Sequence, residues 1–182
     1  MSEYGAPERK FLRPEQGLTV TDGQVVEGYA SLFGVQDQGG DMVVAGAYGA
    51  SLKRLAGAGA KVKMLWQHDP AQPIGVWEEV REDGRGLWVK GRILTEVDRG
   101  REAAALLAAG AIDGLSIGYR TVKAERNGKG QRLLSELELW EVSLVTFPML
   151  SEARVQAKSD DGWHWRQMVQ VFDDARRQLA ER

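Results

Sequence analysis

Arg132-Leu133-Leu134-Ser135-Glu136-Leu137-Glu138-Leu139-Trp140-Glu141-Val142-Ser143-Leu144-Val145-Thr146 reads as a long β-strand with apolar residues on both faces. Side chains alternate across a strand, so Trp140, Val142 and Leu144 form one row and Leu137, Leu139 and Val145 the other. An antiparallel strand with one face in water would keep one of those rows polar. This strand is therefore expected to be covered on both sides, as in a barrel wrapped by helices.

The neighbouring segments extend that reading. Asn127-Gly128-Lys129-Gly130 tolerates positive φ at a hairpin turn and joins the strand to a second long β segment, Leu115 to Glu125. Before it, Arg99 to Ala109 is rich in alanine and leucine, the best helix formers, and stops at Gly110, which accepts a left-handed cap. Val62 to Trp66, Ile74 to Val80 and Gly86 to Leu94 are strand-like, separated by Asp69-Pro70 and by Asp83-Gly84-Arg85-Gly86; the last two read as a hairpin. A strand over Val25 to Phe33 and a short helix over Ala47 to Leu55 come earlier. The sum is a mostly β, α+β domain of six or seven strands with two inserted helices. Residues 1–16, polar and containing Pro7 and Pro14, are expected to be a flexible N-terminal arm or an irregular first strand. Residues 159–182 are expected to form a C-terminal amphipathic helix, with Ser159-Asp160-Asp161 as caps and Trp165, Met168, Phe172 and Leu179 on one stripe. The central domain then spans 17–158.

Composition excludes several classes. A chain of 182 residues, 43% hydrophobic and 27% charged, matches one ordinary globular domain. A net charge of −2 leaves little for counterion release, so nucleic acid is not an expected partner. The absence of cysteine rules out disulfides and thiolate metal sites and fits a reducing cytoplasm. With no signal-peptide core and no apolar run near about 18 residues, no membrane partner is expected.

The chain has only two histidines, His68 and His164, and neither shows metal-ligand spacing, so no metal or cofactor is expected. By alternation His68 closes a strand on the side of Met64 and Trp66, just before the Asp69-Pro70 turn. Gly114-Leu115-Ser116-Ile117-Gly118 spells G-x-S-x-G, which in α/β-hydrolases marks a strand-to-helix elbow. Here a helix precedes the serine, a strand follows it and the histidine comes first, so the elbow reading fails. There remains a serine between two glycines at the opening of a strand, either a simple turn or a hydroxyl a substrate can approach closely. Such a hydroxyl needs a base to become a nucleophile, and His68 is the better placed of the two histidines. Glu141, expected on the face of Leu137, Leu139, Ser143 and Val145, either orients the histidine or reaches solvent or an arginine from the barrel end. Ser143 is then its neighbour or the orienting group itself. Asp37 and Asp41 read as solvated turn residues, and Trp66, Trp77, Trp88 and Trp140 as core packing.

Five blocks, taken in order, resemble the caudoviral (tailed-phage) prohead serine protease family: Val26-Glu27-Gly28-Tyr29-Ala30; Asp41-Met42-Val43-Val44-Ala45-Gly46-Ala47-Tyr48; Met64-Leu65-Trp66-Gln67-His68-Asp69; Gly114-Leu115-Ser116-Ile117-Gly118-Tyr119; and Glu141-Val142-Ser143-Leu144-Val145-Thr146. The resemblance implies a fold like herpesvirus assemblin, a closed β-barrel surrounded by helices. It implies a capsid maturation serine endopeptidase with Ser116 as nucleophile and His68 as base. Its substrates would be the scaffolding segment of the major capsid protein and the protease itself. It would act inside the assembling prohead of a phage, prophage or gene-transfer agent, in the bacterial host cytoplasm, with a homodimer as one assembly to expect. The related viral proteases use a second histidine after the serine; His164 lies beyond the resembling region, and Glu141 takes the third place. After Pro148 the sequence departs from the family pattern with Met149-Leu150-Ser151. A non-enzymatic capsid assembly or scaffold protein, using the barrel as a binding surface, is the main rival, and a small-substrate esterase or amidase the second.

Overall fold

All the strands of the computed structural model, which describes residues 8–12, 19–21, 24–37 and 39–146, belong to one nine-stranded sheet. In chain order the elements are β1 (Glu8–Leu12), β2 (Thr19–Thr21), β3 (Val25–Leu32), β4 (Asp41–Val43), α1 (Gly49–Gly57), β5 (Lys63–Trp66), β6 (Asp69–Glu82), β7 (Gly86–Ile93), α2 (Asp98–Ala108), β8 (Gly114–Arg126) and β9 (Arg132–Val145). The sheet order is β1-β8-β9-β5-β6-β7-β3-β2, with β4 beside β9. β3 also lies against β1 and β8, so the sheet curls into a half-barrel. Six or seven strands were expected; the additional ones are the short β2 and β4, together with β1, which falls within the stretch read as an arm or an irregular first strand.

Two local features depart from simple alternation. The Asp69-Pro70 turn is absent: Asp69 and Pro70 already belong to β6, where proline at a strand's start costs no ladder bond. The reversal falls one step earlier, on Gln67 and His68. The second departure is in β9. Gly118 pairs with Glu141 and Tyr119 with Leu139, leaving Trp140 as an extra residue in a β-bulge. Trp140 is consequently 40% exposed and is not core packing. The bulge shifts parity by one, so Leu137 and Leu139 share a core with Val142 and Leu144 rather than alternating against them. Glu141 and Ser143 therefore leave that core and project from the other side of the sheet. β8 has no such insertion there, and its Leu115, Ile117 and Tyr119 enter the core. Residues 114–119 and 141–145 are all buried, so this part of the β8–β9 ladder is covered on both faces.

α1 braces the same ladder, while α2 covers a neighbouring part of the sheet. α1 sends the buried Ser51 hydroxyl to accept the Leu139 N–H at 2.9 Å, beside the bulge. α2 packs on β6 and β7 through Gly100, Ala103, Ala104 and Leu107. Trp77 of β6 is buried and donates its indole N–H to the Val142 carbonyl at 3.1 Å, tying β6 to the strand that carries Glu141.

The β6–β7 turn is organised by Asp83. Its carboxylate accepts from the Arg85 and Gly86 backbone N–H groups, the Tyr29 hydroxyl and the Arg81 guanidinium. Burial works against the charge, but these donors together outweigh it and hold the carboxyl below the usual aspartate range. A lowered folded-state value stabilises the protein above the ordinary value, and that stabilisation is lost as pH falls through the folded one. Asp83→Asn is therefore expected to lower the melting temperature at pH 7. The gap from wild type should close below about pH 4, and thermal melts across that range would show it. The expected helix over residues 159–182, His164 and the Met149-Leu150-Ser151 segment lie outside the described residues.

Candidate active site

His68 sits in the two-residue loop between Trp66 of β5 and Asp69 of β6. Gln67 and His68 both have left-handed backbones, φ 51° and 63°. Continuing the alternation of β5 would have put His68 beside Met64, but Met64 points into the core and the left-handed pair turns His68 elsewhere. Its ring Nδ1 lies 2.5 Å from Glu141 Oε1. Both residues are buried, with exposures of 7% and 8%. In a site this dry the imidazole–carboxylate attraction is far stronger than in water, and removing either partner leaves the other uncompensated.

Ser143 completes the network from the same strand. Its hydroxyl donates to Glu141 Oε2 at 2.6 Å and accepts the His68 backbone N–H at 3.2 Å. Both carboxylate oxygens of Glu141 are thus engaged, one by the ring and one by Ser143, which fixes its plane. Parallel pairing of β5 with β9, Leu65 to Ser143 and Trp66 to Leu144, brings the histidine loop to this point.

Ser116 enters from β8. It is the antiparallel partner of Ser143, and residues opposite each other in such a ladder carry side chains on the same face about 4.5–5.5 Å apart at Cβ. The ladder therefore seats Ser116 beside the His68–Glu141–Ser143 network, on the face opposite the core. Ser116 and Ser143 are both fully buried, and β1 pairs along the other edge of β8, with Phe11 opposite Ser116.

Gly118 has a role the sequence conceals. A Cβ built there would collide with Glu141 Oε1 and lie 2.7 Å from its carboxyl carbon. The glycine is the seat in which the carboxylate rests while it meets His68. Gly118→Ala is expected to push Glu141 off the ring. The far-UV circular dichroism should stay unchanged while the low-field Nδ1–H resonance of His68 is lost.

The remaining sequence candidates fall elsewhere. Asp41 opens β4 and, only 14% exposed, pairs with Arg132 at 3.0 Å, so it is not the solvated turn residue expected; Asp37 accepts the Asp41 N–H at 2.8 Å. Among the described residues no group of three or more His, Asp or Glu side chains gathers as a metal ion would require. Sequence reasoning missed Gln67 and Thr146, and it gave Gly118 another role, room for a substrate beside Ser116. Gln67 and Thr146 belong to the blocks holding His68 and Glu141, which is the one signal that could have marked them.

This geometry can be set beside known proteins. The sequence model of the caudovirus prohead serine proteases matches residues 13–167. The prohead protease of Enterobacteria phage HK97 is 32% identical over 142 residues, covering 76% of this chain and 62% of that protein. The chain thus spans less than two thirds of that relative's length. The capsid polyprotein of Pseudomonas phage PAJU2 is 36% identical over 103 residues, covering 52% of this chain and 15% of the polyprotein. In three dimensions the chain is similar to the bacteriophage T4 capsid assembly protease, with a TM-score of 0.62 and 18% identity over 78% of this chain and 98% of that one.

Proposed function

The chain belongs to the caudovirus prohead serine protease family, and from that premise we propose that it is a capsid maturation serine endopeptidase with Ser116, His68 and Glu141 as its catalytic residues. The observation that carries this reading is the buried 2.5 Å contact of His68 with Glu141, laid against the strand position that Ser116 shares with Ser143.

In the reaction, Ser116 Oγ attacks the carbonyl carbon of the scissile peptide and its proton passes to His68 Nε2. Glu141 holds Nδ1 protonated, so that Nε2 is the atom able to accept, and balances the imidazolium that forms. His68 then gives the proton to the leaving amine. Water, deprotonated by the same ring, attacks the acyl-enzyme and restores Ser116.

The substrates are the scaffolding segment of the major capsid protein and the protease itself, cut inside the assembling prohead in the bacterial host. A relative named as a capsid polyprotein supports the link to capsid protein. Ser116 is fully buried, so substrate binding requires a local rearrangement around it. With β1 in the sheet the protease domain begins before the expected residue 17, and the approach of β3 to β1 and β8 supports closure of the half-barrel into an assemblin-like barrel. A homodimer fits the scheme without being required by it.

The test is co-expression with the major capsid protein encoded beside this chain, read by intact-protein mass spectrometry. The capsid protein should be shortened by wild type. Assembled particles holding full-length capsid protein in the presence of wild type would replace the protease reading with the scaffold one.

A further inference from the structure

The loop that carries His68 is built against local preference. Two-residue hairpin loops close best when both central residues take positive φ, which is why Asn-Gly dominates them. Here the positions hold Gln67 and His68, at 51° and 63°. A residue with a Cβ resists that conformation, and such strain persists only where the surroundings over-determine it.

The bonds that do so converge on Gln67. Its backbone N–H donates to the Leu144 carbonyl at 3.0 Å. Its side-chain Nε2 donates to Thr146 Oγ1 at 2.6 Å, and its Oε1 accepts the Thr146 backbone N–H in a longer bond of 3.4 Å. The amide is thereby gripped by both polar groups of one residue just beyond β9. His68 adds its own N–H, donated to Ser143 at 3.2 Å, and its ring contact with Glu141. Released from Thr146, the loop has every reason to relax toward negative φ, and a backbone rotation at position 67 swings the imidazole away from Glu141.

We propose that Gln67 and Thr146 form a clamp that positions the general base: they hold the left-handed loop in the one geometry in which the His68 ring meets Glu141. Both are positioning residues, acting through His68. The inference rests on the reading of His68 as base, but its first test does not need activity.

The protein has two histidines, so ¹⁵N-histidine labelling with His68→Gln as control assigns the low-field Nδ1–H proton of the ring bonded to Glu141. Thr146→Val keeps the side-chain shape and removes the hydroxyl; Thr146→Ser keeps the hydroxyl. Gln67→Met keeps a Cβ and a side chain of similar length and removes the amide. Thr146→Val and Gln67→Met should each lose the low-field resonance and lower capsid-protein cleavage about 10–100-fold, while Thr146→Ser retains both. The Trp77 indole N–H, bonded to Val142, reports whether the fold is kept. If Thr146→Val and Gln67→Met keep the resonance and the wild-type rate, there is no clamp, whatever Ser116→Ala does. A wild-type chain that never cleaves, yet whose resonance vanishes in Thr146→Val, keeps the clamp and sinks the protease reading.

Discussion

Ser116→Ala is expected to abolish capsid-protein shortening, a loss of about 10⁴-fold or more, and to leave the protein folded. The magnitude follows from the chemistry: without the hydroxyl no acyl-enzyme forms, and what survives is the residual catalysis from binding and oxyanion stabilisation. The fold should survive because Ser116 lies on the non-core face between Leu115 and Ile117, whose side chains carry the packing. Alanine fits there, and losing one buried hydroxyl costs about 1–3 kcal/mol, well short of unfolding. Nucleophile and base act as a unit, so Ser116→Ala combined with His68→Ala should cleave no more slowly than either alone. Intact masses of capsid protein co-expressed with each variant provide the readout. The scaffold alternative predicts the opposite pattern: unchanged particles and unchanged masses in wild type and variant alike.

Much of the architecture was legible because it rests on short-range rules. The apolar rows of β9, the Asn127–Gly130 turn and the alanine-rich α2 ending before Gly110 each follow from local pattern. What alternation could not supply was the bulge at Trp140. A single unpaired residue has no compositional mark, yet it moves Leu137 and Leu139 into the core and sends Glu141 out of it. The site shows the same division. Residue types named Ser116, His68 and Glu141, since a serine between glycines, a histidine beside a turn and a carboxylate on an apolar strand are each conspicuous. Their juxtaposition depends on β5 pairing parallel to β9 and β8 antiparallel to it, which joins residues remote in the chain such as Leu65 and Ser116 with Ser143. Gln67 and Thr146 went unread for that reason: a glutamine in a turn and a threonine past a strand have no meaning until the fold joins them.

The second large effect belongs to Glu141→Gln, which is nearly isosteric and therefore isolates the charge. The glutamine can present its oxygen to His68 Nδ1 only if its NH₂ faces Ser143, whose hydroxyl then receives donors from two sides and loses its own acceptor. The reverse orientation satisfies Ser143 but sets an N–H against Nδ1. The ring must then carry its proton on Nε2, the atom that has to take the proton from Ser116. Either choice also removes the negative charge that balances the imidazolium. The expected result is a fall in cleavage rate of about 10²–10⁴-fold, with the fold intact and the low-field His68 proton gone. Glu141→Ala should behave differently. It leaves a buried histidine unpaired and a hole beside Gly118, and losing one member of a buried pair costs about 3–5 kcal/mol; the melting temperature should drop along with activity. If Glu141→Gln cleaves at the wild-type rate, Glu141 is a structural partner of Ser143 and the third catalytic place belongs to another group, while the Ser116 result stands.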